Sequence, residues 1–588
     1  MTASLSSNVN NVKVTHPQVI VIGAGPTGLL VASELARRKV AVRIIDKRDA
    51  RQEISKALVV QARTLEIMDL CGLIEPFLRR GYPAPGLNIG LHGSGKGTVD
   101  LRRLGTRYPY LLVIPQNETE ELIETRLNEF GIKIERGLEL VAVRQDADSA
   151  TATLRDREAK IHEVRTSYLI GCDGTHSAVR EAIGMPFEGE DIEFTTFLAD
   201  VKLDAHFIRS RITNFTGQRG FVSILPFMGE YARIFAVDFT KQDIPVEEKL
   251  ELSDLQDTVD AIVPQRVELH DPRWITRFRS PSRQVPFMRQ RRVFLAGDAA
   301  HSHTPAGGEG MNSGLQDAYN LAWRLATVLR REGPETLLDG YHEERHLVDE
   351  QTQRETDRMF RSFVLTNPLL KAGRDLLFRS ALSFPPVQRK ISEDLSNIGI
   401  DYTFTQASQS EHHSEDAAQD CLSAGARVPD AELWRPGKPF VRLYECLRVP
   451  SMSLFAYVAA DRLDADRALI GSLMDALKRT FADRLARTIV IDEGLPQEVN
   501  AGAEVLVDHK GQFASGLGAV HGRVFLIRPD GYLALHRSGW SPEKIVAAVE
   551  LWLMPAVVPK ADVLPQQSGE PADRLQLASG PHPSRTGR

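Results

Sequence analysis

The sequence predicts an α/β protein: a β-α-β unit at the start, an antiparallel sheet inserted behind it, and a further α/β unit near the end. Three observations carry this expectation. Val19-Ile20-Val21-Ile22 is a β-branched run followed by glycines, a helix-period stretch from Leu29 to Arg38 and a second strand from Val40 to Asp46. RGFVSILPF and YARIFAVDF alternate on either side of Met228-Gly229-Glu230, which is a hairpin pattern. RRVFLAGDAA then returns to the buried-strand pattern, well downstream of the first.

The chain has 588 residues, too many for one core, and roughly 150 residues per domain gives about three to four domains. It is 42% hydrophobic and 26% charged, which excludes collagen, wholesale disorder and a coiled-coil rod. Net charge is −6, so no global field favours nucleic acid or an anionic membrane. No stretch is apolar for long enough to span a bilayer, and residues 1–16 lack the apolar run of a signal peptide. Cys71, Cys172, Cys421 and Cys446 are far apart, so a zinc module or disulfide scaffold is not expected and a reducing, cytoplasmic setting is.

In chain order, residues 1–16 read as a flexible tail. Residues 17–185 and 285–345 together form the first, discontinuous unit, with helices around ARTLEIMDL and from Glu118 to Phe130 and strands over 133–170. Residues 186–284 form the antiparallel sheet. Its hairpin places Tyr231, Arg233, Phe235, Val237 and Phe239 on one face, beside Phe221, Ser223, Leu225 and Phe227. Residues 346–404 are a charged helical segment and 405–419 a polar linker containing His412-His413. A further unit occupies 420–555, with strands near 452–458, 486–491, 504–508 and 523–527. Residues 556–588, rich in Pro, Ser and Gly, read as disordered.

Gly23-Ala24-Gly25-Pro26-Thr27-Gly28 is G-x-G-x-x-G between a strand and a helix, a Rossmann-like arrangement. The first glycine allows the tight turn, the second lets a pyrophosphate approach the backbone, and the third allows close helix–strand packing. The helix N-terminus adds positive charge toward the phosphates. Asp46 ends the next strand, where an acid can accept from a ribose. Gly90 to Gly97 nearly spells a P-loop, but Gly97 stands where a magnesium-binding hydroxyl is needed, so a hairpin loop is expected. Cys172-Asp173-Gly174 and Gly297-Asp298 each follow a strand. Gly307, Gly308 and Gly310 form a loop that can approach a planar ligand, ahead of a helix beginning near Asn312. His301 and His303 have no third ligand nearby in sequence, so no metal is expected.

GAGPTG, CDG and GDAAHSHTPAGGEGMNSGLQDAYNLAWRL, in this order, resemble the single-component class A FAD-dependent aromatic hydroxylases over residues 17 to about 400. GRVFLIRPDGYLALH resembles the thioredoxin-like C-terminal domain found in the phenol hydroxylase and polyketide hydroxylase branches. The resemblance implies FAD held by Gly23, Gly25, Pro26, Thr27 and Gly28, with Asp46 and Lys47 at the adenosine end. Lys56 stands where many members carry an arginine on the phosphates, and Lys lacks the bidentate fork. Gln116 would meet the ribityl chain or the pyrophosphate, and Asp298 the ribityl hydroxyls. Pro305, Gly308, Gly310, Met311 and Asn312 would line the ring, and Asp173 and Gly174 would serve both FAD and nicotinamide.

It further implies NADH or NADPH as reductant, O2 as co-substrate, and hydroxylation of a small phenolic or polycyclic aromatic through a flavin C4a-hydroperoxide. A homodimer fits the same picture. Phe221, Phe227, Tyr231 and Phe235 are the candidate substrate contacts, with no catalytic acid or base assigned. Arg233 and Arg277 are candidate anion partners that otherwise read as surface charges. A halogenase would carry W-x-W-x-I-P, but the tryptophans stand alone. Two rivals remain open here: an FAD oxidoreductase that inserts no oxygen, and a non-enzymatic binding protein of the same fold.

Overall fold

Four short strands, from three regions far apart in sequence, form one parallel block. In the computed structural model, Val19–Ile22 pairs in parallel with both Val42–Asp46 and Tyr168–Gly171, and the latter pairs in parallel with Val293–Leu295. Arg289–Gln290 and Glu135–Arg136 close the two edges of this six-stranded sheet. Parallel strands buried on both faces must be apolar throughout, which is why these segments read as unbroken runs. The parallel direction has a second consequence. The three motifs at the strand ends, beginning at Gly23, Cys172 and Gly297, emerge on one edge, where open α/β sheets bind ligands.

The structure describes residues 17–556, apart from 53–54, 91–95, 192–193, 204–210, 305, 366, 413–420, 436, 438 and 493–502. Pro305, His413 and both terminal segments therefore lie outside the described residues, as does the centre of the Gly90–Gly97 hairpin.

The second sheet has seven strands, in the order Leu269–Phe278, Thr196–Leu203, Tyr231–Asp238, Gly220–Pro226, Ile212–Thr216, Gly86–Gly90 and Lys96–Asp100. The sheet expected from 186–284 thus gains a hairpin from residues 86–100. It is also not wholly antiparallel, because Ile212–Thr216 runs parallel to Gly86–Gly90. A parallel neighbour needs a long crossover, and the intervening chain supplies one. Within the hairpin, Phe221 faces Val237, Ser223 faces Phe235 and Leu225 faces Arg233. The alternate residues Val222, Ile224, Ile234 and Ala236 are fully buried in a core shared with the helix Leu252–Ile262. Phe221 and Phe235 belong to the other face, on which Phe360 and Phe363 of the helix Asp339–Phe363 are packed.

The third sheet, in the C-terminal part, runs Glu504–Val507, Leu485–Ile491, Met452–Val458, Arg523–Ile527, Leu533–Ser538. The first three strands are parallel and the last two are added antiparallel. The start of the expected linker is a helix, Gln406–His412, held to the third sheet by Arg537 donating to Glu411 at 2.6 Å. No helix among the described residues is long and apolar enough to cross a membrane.

Candidate active site

The glycine turn shows three different constraints. Gly23 adopts φ +99°, and a Cβ there would lie 2.4 Å from the Cys172 carbonyl oxygen. Gly28 packs as closely, with a Cβ 2.0 Å from the Gly23 oxygen. Both keep the helix Pro26–Arg37 tight against the sheet. Gly25 differs: it caps that helix with no side-chain bond, and a Cβ there would meet nothing within 4 Å. The open space lies in front of the first helical turn, where Pro26 lacks an N–H and the Thr27 and Gly28 amides point outward. The side chain of Thr27 has a packing task. A Cβ on Gly297 would sit 2.6 Å from its hydroxyl, and one on Gly314 2.4 Å.

Asp46 is buried and its acceptor sites are taken. It receives Ala24 N–H at 2.9 Å, Arg48 N–H at 2.8 Å, and the Arg48 guanidinium at 3.0 and 2.8 Å. Burial alone would raise its pKa, but these bonds outweigh it and hold the carboxyl below the usual range. A ribose reaching Asp46 must displace Arg48. Lys47 is exposed. Gln116 accepts Ala57 N–H at 3.1 Å and donates to Glu120 at 2.9 Å, so it fixes the segment carrying Lys56.

Asp298 is the open acid. Its side chain is accessible to solvent, yet the protein around it raises its pKa by desolvation, against the charges of His301 and Lys56. An acid both accessible and desolvated fits the wall of a cleft. Among the described residues it has one hydrogen bond, a long one from Thr175 Oγ1 at 3.4 Å. Gly310 leaves room beside it, with a Cβ position 4.0 Å from Asp298 Oδ1. Asp173, by contrast, is turned inward: it accepts from the Ser177 hydroxyl at 2.5 Å and Val179 N–H at 3.1 Å, ordering the short helix Ala178–Ala182. Gly174, at φ +84°, faces open space.

The glycine loop follows. Gly307 and Gly308 both have positive φ, +79° and +70°, which side chains rarely tolerate. Asn312 is fully buried and accepts Gln61 N–H at 2.9 Å while donating to Val59 and Gly308 carbonyls, each at 2.8 Å. It staples the loop rather than presenting an amide to a ligand. Met311 is buried beside it. Glu309, missed in the sequence, accepts from Gln61 at 2.6 Å and Asn397 at 3.0 Å, and burial pushes its pKa up to about 7.

His301 and His303 do meet a third residue, Asp349, within 4.8 Å. The surroundings argue for a hydrogen-bond relay rather than a cation site. Arg345 sits among the same carboxylates, donating to Asp317 at 2.7 Å and Asp349 at 3.0 Å. His301 lies between Asp317 at 2.6 Å and Asp349 at 3.2 Å. Desolvation works against its protonation, but these two carboxylates prevail and raise its pKa to about 9. Its Nδ1–H then donates to His303 Nε2 at 3.0 Å. That bond leaves His303 neutral, with its proton on Nδ1, a buried donor without a partner among the described residues; the Thr304 hydroxyl beside it likewise finds none among them.

The candidate substrate residues divide. Phe221 stacks on Phe363 at 4.9 Å and meets Phe235 edge-on at 5.9 Å. This aromatic group reaches the glycine loop through Met359, whose methyl lies 3.2 Å from the Cβ position of Gly307. Phe227 and Tyr231 pack instead with Leu58, Val59 and Leu111. Arg233 and Arg277, expected as surface charges, are both buried. Arg233 forks onto Asp200 at 2.7 and 3.0 Å and donates to the Lys56 carbonyl at 3.0 Å, joining the second sheet to the first unit. Asp200 is on a different strand and carries no local signal in the sequence.

An open phosphate turn, an under-bonded acid across the sheet edge, unpartnered buried donors and a glycine loop fit an elongated dinucleotide with a planar ring. They define a flavoprotein of the FAD-binding α/β class. A family profile described as FAD binding domain matches residues 16–356. The chain is 34% identical to 6-methylpretetramide 4-monooxygenase of Streptomyces rimosus, covering 89% of this chain and 91% of that protein. It is 30% identical to pentachlorophenol 4-monooxygenase of Sphingobium chlorophenolicum, covering 91% and 96%. Among solved structures, anhydrotetracycline hydroxylase from Streptomyces rimosus superposes with a TM-score of 0.71 at 28% identity, covering 92% of this chain and all of that one. The chain belongs to the family of FAD-dependent aromatic monooxygenases. That membership favours oxygen insertion over both rival readings.

Proposed function

We propose that the protein hydroxylates a phenolic or polycyclic aromatic compound, using FAD as cofactor, NADH or NADPH as reductant and O2 as co-substrate. The observation that carries this reading is the convergence of the cleft at Asp298 with the aromatic face at Phe221, Phe235 and Phe363, joined through Met359 and Gly307. FAD, when bound, supplies the oxygen activation. The protein supplies the rest. Gly25 and the first turn of its helix receive the pyrophosphate, and Asp298 accepts from ribityl hydroxyls. The loop Gly307–Gly310 leaves room for a ring, and Phe221 and Phe235 orient an aromatic substrate while keeping water out.

Lys56, close enough for Asp298 to feel its charge, supplies a cation for phosphate. Asp46 acts chiefly by tying Ala24 to Arg48, and Asp173-Gly174 by shaping the open edge where a nicotinamide could dock. The C-terminal unit is read as a thioredoxin-like fold without its redox pair. Its mixed sheet supports this, and Cys421 and Cys446 are not joined in a disulfide. A cytoplasmic, homodimeric enzyme completes the reading.

The test is direct. Purified protein should take up one FAD and turn yellow, and an aromatic substrate should stimulate NAD(P)H oxidation with formation of a hydroxylated product. FAD uptake with NAD(P)H oxidation but no oxygen in any product would favour the plain oxidoreductase. Failure to take up FAD would remove the reading altogether.

A further inference from the structure

The turn Arg528-Pro529-Asp530-Gly531-Tyr532 joins the last two strands of the C-terminal sheet, and it is buried throughout. Turns usually lie at the surface because their polar groups need water. Here the first unit replaces the water. The Pro529 carbonyl accepts from the Tyr319 hydroxyl at 3.0 Å, and the Asp530 carbonyl accepts from Arg63 at 2.6 Å. The Asp530 carboxylate accepts the Trp323 indole N–H at 2.9 Å. Arg528 forks onto Glu344 of the helix Asp339–Phe363, with bonds of 2.6 and 2.8 Å.

Glu344 is followed directly by Arg345, and the two adjacent side chains serve opposite neighbours. Arg345 grips Asp317 and Asp349. Asp317, on the helix Glu309–Leu329, accepts Gly297 N–H at 3.0 Å and His301 at 2.6 Å. His301 continues to His303. A buried polar chain therefore runs from the C-terminal turn to both ends of the segment 297–303, the segment that carries Asp298. Its charges balance: Arg324, Arg345, Arg528 and the His301 imidazolium stand against Asp317, Glu344, Asp349 and Asp530. In a buried cluster of this kind, a change at one member redistributes the pairing of the others.

We propose that the C-terminal unit sets the position of the Gly297–His303 segment, and thereby the flavin site, through the positioning residues Arg528, Glu344 and Arg345. The proposal rests on the reading of the Asp298 cleft as the FAD site. Arg528 fixes Glu344, which fixes the long helix at Arg345, which holds Asp317 against Gly297 and His301. Losing the fork at Arg528 leaves Glu344 to Arg324 and Asn320, and the helix loses the contact that sets its rotation at Arg345.

The test compares Arg528→Lys, which keeps the charge but not the fork, with Tyr319→Phe, which removes one bond to the turn and no charge. Both are made in the full chain. The readouts are FAD binding by fluorescence quenching and ring-nitrogen resonances of His301 and His303 in cofactor-free protein. In Arg528→Lys, FAD Kd should rise at least about 5-fold and the histidine resonances should move, while Tyr319→Phe leaves both unchanged. If Arg528→Lys does not fold, Asp530→Asn carries the same comparison. A folded variant with wild-type FAD affinity and unmoved histidine resonances would overturn the proposal and reduce the turn to a clamp. Failure of the wild type itself to bind FAD would instead refute the reading of the cleft, and the histidine resonances would still decide the inference.

Discussion

A methyl group added at Gly23 would collide with the Cys172 carbonyl, whereas one added at Gly25 would enter empty space. The two positions therefore separate folding from ligand binding within one motif. Gly25→Val should leave thermal unfolding within about 2 °C of wild type and raise FAD Kd more than tenfold, because the branched side chain fills the phosphate approach. Equal FAD binding by wild type and Gly25→Val would place the phosphates elsewhere. Asp298→Ala is the complementary case. Among the described residues the carboxylate makes one long hydrogen bond, so its removal costs little stability, while a lost ligand bond is worth on the order of 1–3 kcal/mol, roughly ten- to a hundredfold in Kd. A titration with unchanged affinity would show that Asp298 does not touch the cofactor. Asp46 teaches the opposite lesson. An acid at the end of the second strand reads as a ribose ligand, but only the structure shows Arg48 folding back to occupy it.

Elements that carry their own local pattern were legible. The strand Val19–Ile22, the helix after it and the hairpin between Gly220 and Asp238 follow from period and turn residues. The parallel junction between Ile212–Thr216 and Gly86–Gly90 was not, because nothing local encodes a partner more than a hundred residues away. Nor was the burial of Arg528-Pro529-Asp530-Gly531, since turn residues look the same on a surface and inside an interface. Three elements meet at His301: its own strand, the helix bearing Asp317, and the helix bearing Asp349 and Arg345. Its pKa is raised from 6.5 to about 9 in the folded protein, so the folded state holds its proton more tightly. The resulting stabilisation, on the order of 3 kcal/mol, is complete below about pH 6.5 and is lost as pH rises through about 9. Toward acid the sign reverses. Glu344 is held down to about 2 by Arg324 and Arg528 despite its burial, so its contribution is lost as pH falls from about 4.5 toward 2. Thermal unfolding of the wild type should therefore fall in midpoint between pH 7 and 9.5, and His301→Gln should flatten that decline. Parallel curves for the two proteins would remove the imidazolium from the cluster.

At the scale of the whole molecule, one helix has its chemistry reversed. Pro368–Leu382 turns Lys371 and Asp375 inward, where Lys371 donates to the Gly217 carbonyl at 2.8 Å. Its leucines point outward: Leu369 is 83% exposed, Leu370 58%, Leu376 67% and Leu377 71%. Phe384, 61% exposed, extends the patch onto the next helix. Five such side chains present several hundred Å2 of apolar surface, more than a monomer usually leaves bare. The arrangement suits a second copy of the same helix. Leu369 and Leu370 lie as far before Gly373 as Leu376 and Leu377 lie after it, and a Cβ on Gly373 would meet nothing within 4 Å. A second copy of the helix, antiparallel and crossing at Gly373, matches each leucine pair with the other, as a two-fold axis requires. Sedimentation of the full chain at micromolar concentration should show a dimer, and Leu376→Glu combined with Leu377→Glu should give a monomer that binds FAD as the wild type does. Dithiothreitol should change neither state, since the contact involves no cysteine. A wild-type monomer, or a dimer that survives both charges, would mean that this face does not pair with itself.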